Sequence, residues 1–152
     1  MKILLVEDTA RHADDAINIL QRAGIEFIHV KNLDFAEQAL LKSEQYGITH
    51  VITDLFFPQG RSGNSNGVDN NILEPCGVAV MSLANAKGIP CVICTDGHHH
   101  GDRYDWVTQM GRMLDWPGMA DHRRARTRSD VAETKDWEFA LEILDITIPI
   151  SV

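Results

Sequence analysis

The sequence predicts an α/β domain: a doubly wound, five-stranded parallel sheet with helices on both faces. Two observations carry that expectation. Short apolar runs alternate with longer stretches whose apolar residues recur at helical spacing, the pattern of strand–helix–strand units with right-handed crossovers. Acidic residues also stand just past two of the apolar runs, Glu7-Asp8 after the first and Asp54 at the end of the third. The carboxyl ends of strands are where open α/β sheets place their ligands.

Taken in order, Lys2 to Val6 is a short apolar run and reads as the first strand. From Thr9 to Gly24, residues Ala13, Ala16, Ile17 and Leu20 share a helical face, and Gly24 supplies the stop. Phe27 to Val30 is a second short strand, and Asn32 caps a helix running to about Glu44 with Ala36, Ala39 and Leu40 on its apolar stripe. The third strand ends at Asp54, and Pro58 is expected to forbid further ladder pairing. Gln59 to Asn71 is rich in Gly, Ser and Asn and reads as a long loop; it lacks the acidic ends of a calcium-binding loop. Leu73 to Lys87 reads as the third helix, ended by Gly88, and Ile89 to Thr95 as the fourth strand.

Beyond Thr95 the pattern weakens. Asp96 to Asp102 is a polar loop carrying His98, His99 and His100. Tyr104 to Leu114 reads as a helix with Trp106, Met110 and Met113 on one side. Trp137 to Leu144 is a clear amphipathic helix, so the fifth strand is expected just before it, near Val131 to Thr134. Ile146 to Val152 reads as an extra edge strand or a docked tail.

With 152 residues and an apolar fraction of 44%, the chain is expected to form one domain over 1–152. A formal charge of −8 argues against a nucleic-acid surface. The cluster Arg123, Arg124, Arg126 and Arg128 reads as a solvated segment. No apolar run reaches membrane-spanning length and no signal-peptide pattern opens the chain, so a cytoplasmic location is expected. Cys91 and Cys94 have CxxC spacing but lie in a strand, where residues three apart face opposite sides; with Cys76 they read as buried structural thiols.

Leu-Leu-Val-Glu7-Asp8, Asp54 with Pro58 four residues on, Thr95 closing the fourth strand, and Lys135 ahead of the last helix together resemble a response-regulator receiver domain. The resemblance implies the flavodoxin-like strand order 2-1-3-4-5. It also implies a phosphoryl group accepted on Asp54, with Lys135 and Thr95 contacting its oxygens. Mg²⁺ would be held by Glu7, Asp8, Asp54 and the Phe56 carbonyl. The implied partners are a histidine kinase or phosphotransfer protein and a downstream protein, in a stand-alone receiver of a phosphorelay.

The acidic residues make independent sense of the metal: clustered carboxylates need a cation or a proton, and hard oxygen ligands suit Mg²⁺. The sequence departs from the family at Asp136, where proline is usual, at Ala132, where an aromatic is frequent, and at Asp96, where a small neutral residue is usual. The spacings from Asp54 to Thr95 and from Thr95 to Lys135 also exceed the family's. These departures define one alternative, a degenerate receiver-like interaction module that takes no phosphoryl group. The histidine stretch, with Asp96, Asp102 and His122, defines another: a metal-dependent phosphohydrolase.

Overall fold

A computed structural model describes residues 1–60, 72–95, 105–116, 119–120 and 135–148. Its main sheet is built from β1 (Lys2–Val6), β2 (Glu26–Val30), β3 (His50–Thr53), β6 (Cys91–Cys94) and β7 (Met119–Ala120). The strands are all parallel and lie in the order β2-β1-β3-β6-β7. This is the expected 2-1-3-4-5 order once β6 and β7 are counted as fourth and fifth strands of the sheet. A separate antiparallel pair, β4 (Phe57–Pro58) with β5 (Leu73–Glu74), stands between β3 and the next helix.

Alternation along the strands divides the core in two. Leu4, Val6, Val51, Cys91 and Ile93 face one side, against α2 (Leu33–Leu41), α4 (Gly77–Ala86) and Val107 of α5 (Asp105–Met113). Ile3, Leu5, Ile52, Val92 and Cys94 face the other, against α1 (Ala10–Arg22) and α6 (Trp137–Ile143). Buried on both faces, the strands read as continuous apolar runs, as parallel sheets require. Cys91 and Cys94 fall in opposite clusters, and all three cysteines are buried and unbridged. Burial pushes the Cys76 thiol up to about 11 and the other two higher still.

Two helices, α2 and α6, begin at side-chain caps the sequence supplies. Asn32 accepts a hydrogen bond from the Phe35 amide at 2.9 Å, and Asp136 accepts one from the Phe139 amide at 3.0 Å. Each satisfies one of the orphan donors of a helix start. A one-turn helix, α3 (Ser43–Tyr46), follows α2 and closes on Gly47 in the left-handed region. None of the described helices is long and apolar enough to cross a membrane.

Three expectations need correction. The fifth strand is Met119–Ala120 rather than a segment near Val131 to Thr134, and residues 121–134 lie outside the described residues. A two-residue edge strand beside Pro117-Gly118 carries no periodic pattern by which to find it. Pro58 does not end pairing: it sits opposite Leu73 in the small antiparallel pair, where a residue without an N–H is tolerated. Leu73 and Glu74 accordingly belong to β5, and α4 starts only at Gly77. The α5 stripe is turned outward, with Trp106 43% and Met113 85% exposed, while Val107 is fully buried.

Of the Ile146 to Val152 tail the structure describes 146–148, which dock without forming a strand. Ile146 is buried and Ile148 packs on the cluster between the sheet and α6. The expected loop at Gln59 to Asn71 is described only to Gly60, and the histidine stretch and the arginine cluster lie outside the described residues.

Candidate functional site

The topology itself assembles the site. The chain passes from β1 to β2 on one side and returns to β3 on the other, so the carboxyl ends of β1 and β3 lie side by side at the point where strand order reverses. Val6 pairs with Thr53, and the ladder runs one step further: the Asp54 amide donates to the Val6 carbonyl at 2.8 Å. The Glu7 amide donates likewise to the Val30 carbonyl at 3.0 Å. Glu7 and Asp54 are thus fixed as the first residues past two adjacent strands. Oxygens of Glu7, Asp8 and Asp54 lie within 4.8 Å of one another.

Lys135 enters this group from the start of α6. Its Nζ donates to Glu7 Oε2 in a short contact and lies 2.9 Å from Asp54 Oδ1. The lysine is buried, as are Glu7 and Asp54, while Asp8 is partly exposed. Further donors hold the carboxylates in place: the Leu55 amide reaches Asp54 Oδ1 at 2.6 Å and the Thr9 amide reaches Glu7 Oε1 at 3.0 Å. Burial opposes the charge on Lys135, but the carboxylates of Asp54 and Glu7 outweigh it and hold the ammonium's pKa above its ordinary value. Burial pushes the Glu7 carboxyl up to about 7; Lys135 draws it down and Asp54 raises it.

These residues suit a divalent cation. Three carboxylates against one ammonium leave a formal charge of −2 when all are ionised, and the raised Glu7 pKa is the cost of holding that charge in a low-dielectric pocket. The donor set offers oxygen only, which favours Mg²⁺ over softer metals. Phe56 follows Asp54 by two residues and is half-buried on the way into β4. Thr95 is fully buried just past β6, with its amide bonded to the Ala120 carbonyl at 3.0 Å. Because Thr53 pairs with Ile93, Thr95 stands two residues beyond that pair at the same sheet end.

Other groups around the site were not legible in the sequence. His29 of β2 hydrogen-bonds through Nε2 to the Glu7 carbonyl at 2.8 Å, and His12 of α1 brings Nδ1 to 3.9 Å from Glu7 Oε1. Gly77 begins α4 so close to the site backbone that a Cβ there would stand 2.1 Å from the Asp54 carbonyl oxygen. Its amide donates to the Leu55 carbonyl at 3.0 Å. The one available signal was a glycine inside an otherwise apolar helical run, which marks close backbone approach. Asp136, the departure from proline, caps α6 and so fixes the turn that carries Lys135.

No family model and no curated protein matches the sequence. Solved structures do match the fold. A response regulator receiver protein from Pseudomonas putida superposes with a TM-score of 0.59 at 18% identity, covering 95% of this chain and 94% of that one. One from Burkholderia phymatum gives a TM-score of 0.60 at 15% identity, covering 98% of each chain. A CheY-like receiver domain protein from Methanospirillum hungatei gives 0.58 at 14% identity, covering 95% of this chain and 90% of that one. The chain therefore has the fold of response-regulator receiver domains over most of its length.

Proposed function

We propose that this protein is a receiver of a phosphorelay, a single domain over 1–152 that accepts a phosphoryl group on Asp54 and signals through a protein partner. The observation that carries the reading is the buried Asp54 carboxylate, 2.9 Å from the Lys135 ammonium and grouped with Glu7 and Asp8 at the strand-order switch. A surface carboxylate or a solvated lysine does not explain that arrangement. The receiver fold supports the same reading.

In the proposed reaction an Asp54 oxygen attacks the phosphorus of a phosphohistidine on a histidine kinase or phosphotransfer protein. The O–P bond forms as the P–N bond breaks, and the imidazole nitrogen leaves with the electron pair. Transfers of this kind depend on positioning and on neutralising the phosphoryl oxygens. The Leu55 amide and Lys135 orient the Asp54 carboxylate. Lys135 then moves from its carboxylate partners to a phosphoryl oxygen, and the Thr95 hydroxyl meets another. Glu7, Asp8, Asp54 and the Phe56 carbonyl would hold Mg²⁺. The ion, when bound, offsets the negative charge of carboxylates and phosphoryl group alike. Such a protein works where kinases and their substrates meet, in the cytoplasm.

The test is intact mass after incubation with Mg²⁺ and acetyl phosphate. The expected result is a gain of one phosphoryl group that is lost in Asp54→Asn. A second reading has its own observation: Lys135 pairs with both Glu7 and Asp54, which neutralises much of the cluster with no cation present. A receiver-like interaction module that takes no phosphoryl group would keep that arrangement. No mass gain in the wild type, from acetyl phosphate or a phosphohistidine donor, selects it over the phosphoacceptor.

A further inference from the structure

We infer that Trp137 is a positioning residue, whose indole face holds the Lys135 ammonium between Glu7 and Asp54. This deepens the phosphoacceptor reading and, for its effect on phosphoryl transfer, rests on it.

The geometry begins in the turn. The Trp137 amide donates to the Lys135 carbonyl at 3.1 Å, while Asp136 caps α6 through the Phe139 amide. Lysine and tryptophan are thereby locked two residues apart at the mouth of the helix. The Lys135 Nζ then lies 5.6 Å from the centre of the Trp137 ring, within the range where a cation is attracted by the ring quadrupole. Both side chains are buried, so water does not screen the contact. A lysine ammonium is a compact charge on a flexible four-carbon stem. Two carboxylates alone do not fix where along that stem's reach it rests. An aromatic wall on another side does.

Trp137 also belongs to the buried cluster that includes Leu5, Val92 and Cys94, a place that a leucine or methionine would equally fill. One detail separates it from a simple filler: its indole N–H is buried and has no hydrogen-bond partner among the described residues. A phenylalanine would fill most of that volume without the unmet donor, and would keep the ring face. Tryptophan offers the strongest cation–π face of the aromatic residues. The choice of indole at a site where its N–H finds no partner among the described residues is accounted for by the ammonium it faces.

The test compares Trp137→Phe with Trp137→Met in the full chain, by two readouts. The first is the NMR shift of the Lys135 ε-methylene protons, measured without phosphoryl donor. The expected result is an upfield ring-current shift in the wild type, kept in Trp137→Phe and lost in Trp137→Met. The second is the initial rate of Asp54 phosphorylation by acetyl phosphate with saturating Mg²⁺, repeated in a Lys135→Met background.

There the expected result is a loss of about tenfold in Trp137→Met, a loss of less than about threefold in Trp137→Phe, and no further loss from Trp137→Met once Lys135 is gone. An unshifted ε-methylene in the wild type overturns the placement. Equal losses with and without Lys135 reduce Trp137 to core packing and overturn the positioning role. A wild type that shows the shift but takes no phosphoryl group removes the phosphoacceptor reading while leaving the ammonium where the indole puts it.

Discussion

Removing the Lys135 ammonium exposes the electrostatics of the site most plainly. In Lys135→Met the hydrophobic stem is kept and the charge is lost. The wild-type ammonium lies 2.9 Å from Asp54 and bonds Glu7, with its side chain fully buried. Breaking a buried ion pair by deleting one partner costs about 3–5 kcal/mol, because the other partner is left charged in a low dielectric. The orphaned carboxylates, with oxygens within 4.8 Å of each other, also repel by roughly 3 kcal/mol at an effective dielectric near 20. These contributions overlap, so a total of about 4 kcal/mol is expected in metal-free protein at pH 8.

Glu7 gives that cost a pH signature. Its carboxyl titrates near its ordinary 4.5 when unfolded and at about 7 when folded. The folded protein therefore binds more protons between those values, and stability falls as pH rises from 4.5 through about 7. Lys135 is the foremost group lowering the Glu7 pKa, so without it the folded value moves up and the loss continues above neutrality. Below the unfolded value Glu7 is protonated in both states and part of the penalty disappears. The difference between wild type and variant should widen from pH 5 to pH 9. Urea unfolding in EDTA at stepped pH measures it. A difference under about 1 kcal/mol, flat across that range, would mean that Lys135 behaves as a solvated lysine and not as a buried ion-pair partner.

Two other substitutions probe the scaffold that holds the site. Gly77→Ala places a Cβ 2.1 Å from the Asp54 carbonyl oxygen and 2.9 Å from the Leu55 Cα, both on backbone. Since backbone yields poorly, a loss of about 2 kcal/mol or more is expected, read as a fall in thermal midpoint; an unchanged midpoint would contradict the close approach. Asp136→Ala removes the cap on the Phe139 amide and should cost about 1 kcal/mol, with Asp136→Asn recovering most of it. Equal effects from the two substitutions would show that the cap is not what Asp136 contributes.

How much of this was legible depended on how local each signal was. β1 was readable to the residue because Lys-Ile-Leu-Leu-Val is a compact apolar run ended by two acids. Asp54 and Lys135 are 81 positions apart in sequence; Asp54 was marked by the end of its strand, Lys135 only by the receiver resemblance ahead of the last helix. The CxxC pair was settled by strand alternation alone.

The fifth strand was missed because Met119 and Ala120 gain their identity from pairing with Ile93 and Cys94, not from any pattern of their own. On α5 the spacing implied a shared side for Trp106, Met110 and Met113 but no direction, and it is Val107 that packs. His29 and His12 carried no signal at all: what brings them to Glu7 is the register of β2 and the pitch of α1, which are tertiary facts. Gly77 had only its oddness within an apolar helix to mark it.

The proposed Mg²⁺ site groups Glu7, Asp8 and Asp54 in one oxygen-rich pocket. Titrating isotope-labelled protein with Mn²⁺ as a paramagnetic stand-in tests it directly. Selective broadening is expected for amide signals from Glu7 to Thr9 and from Asp54 to Phe56. That broadening should be reversed by excess Mg²⁺ and abolished in Asp8→Asn and Asp54→Asn. Broadening centred on His98 to His100, or none at these strand ends, would contradict it.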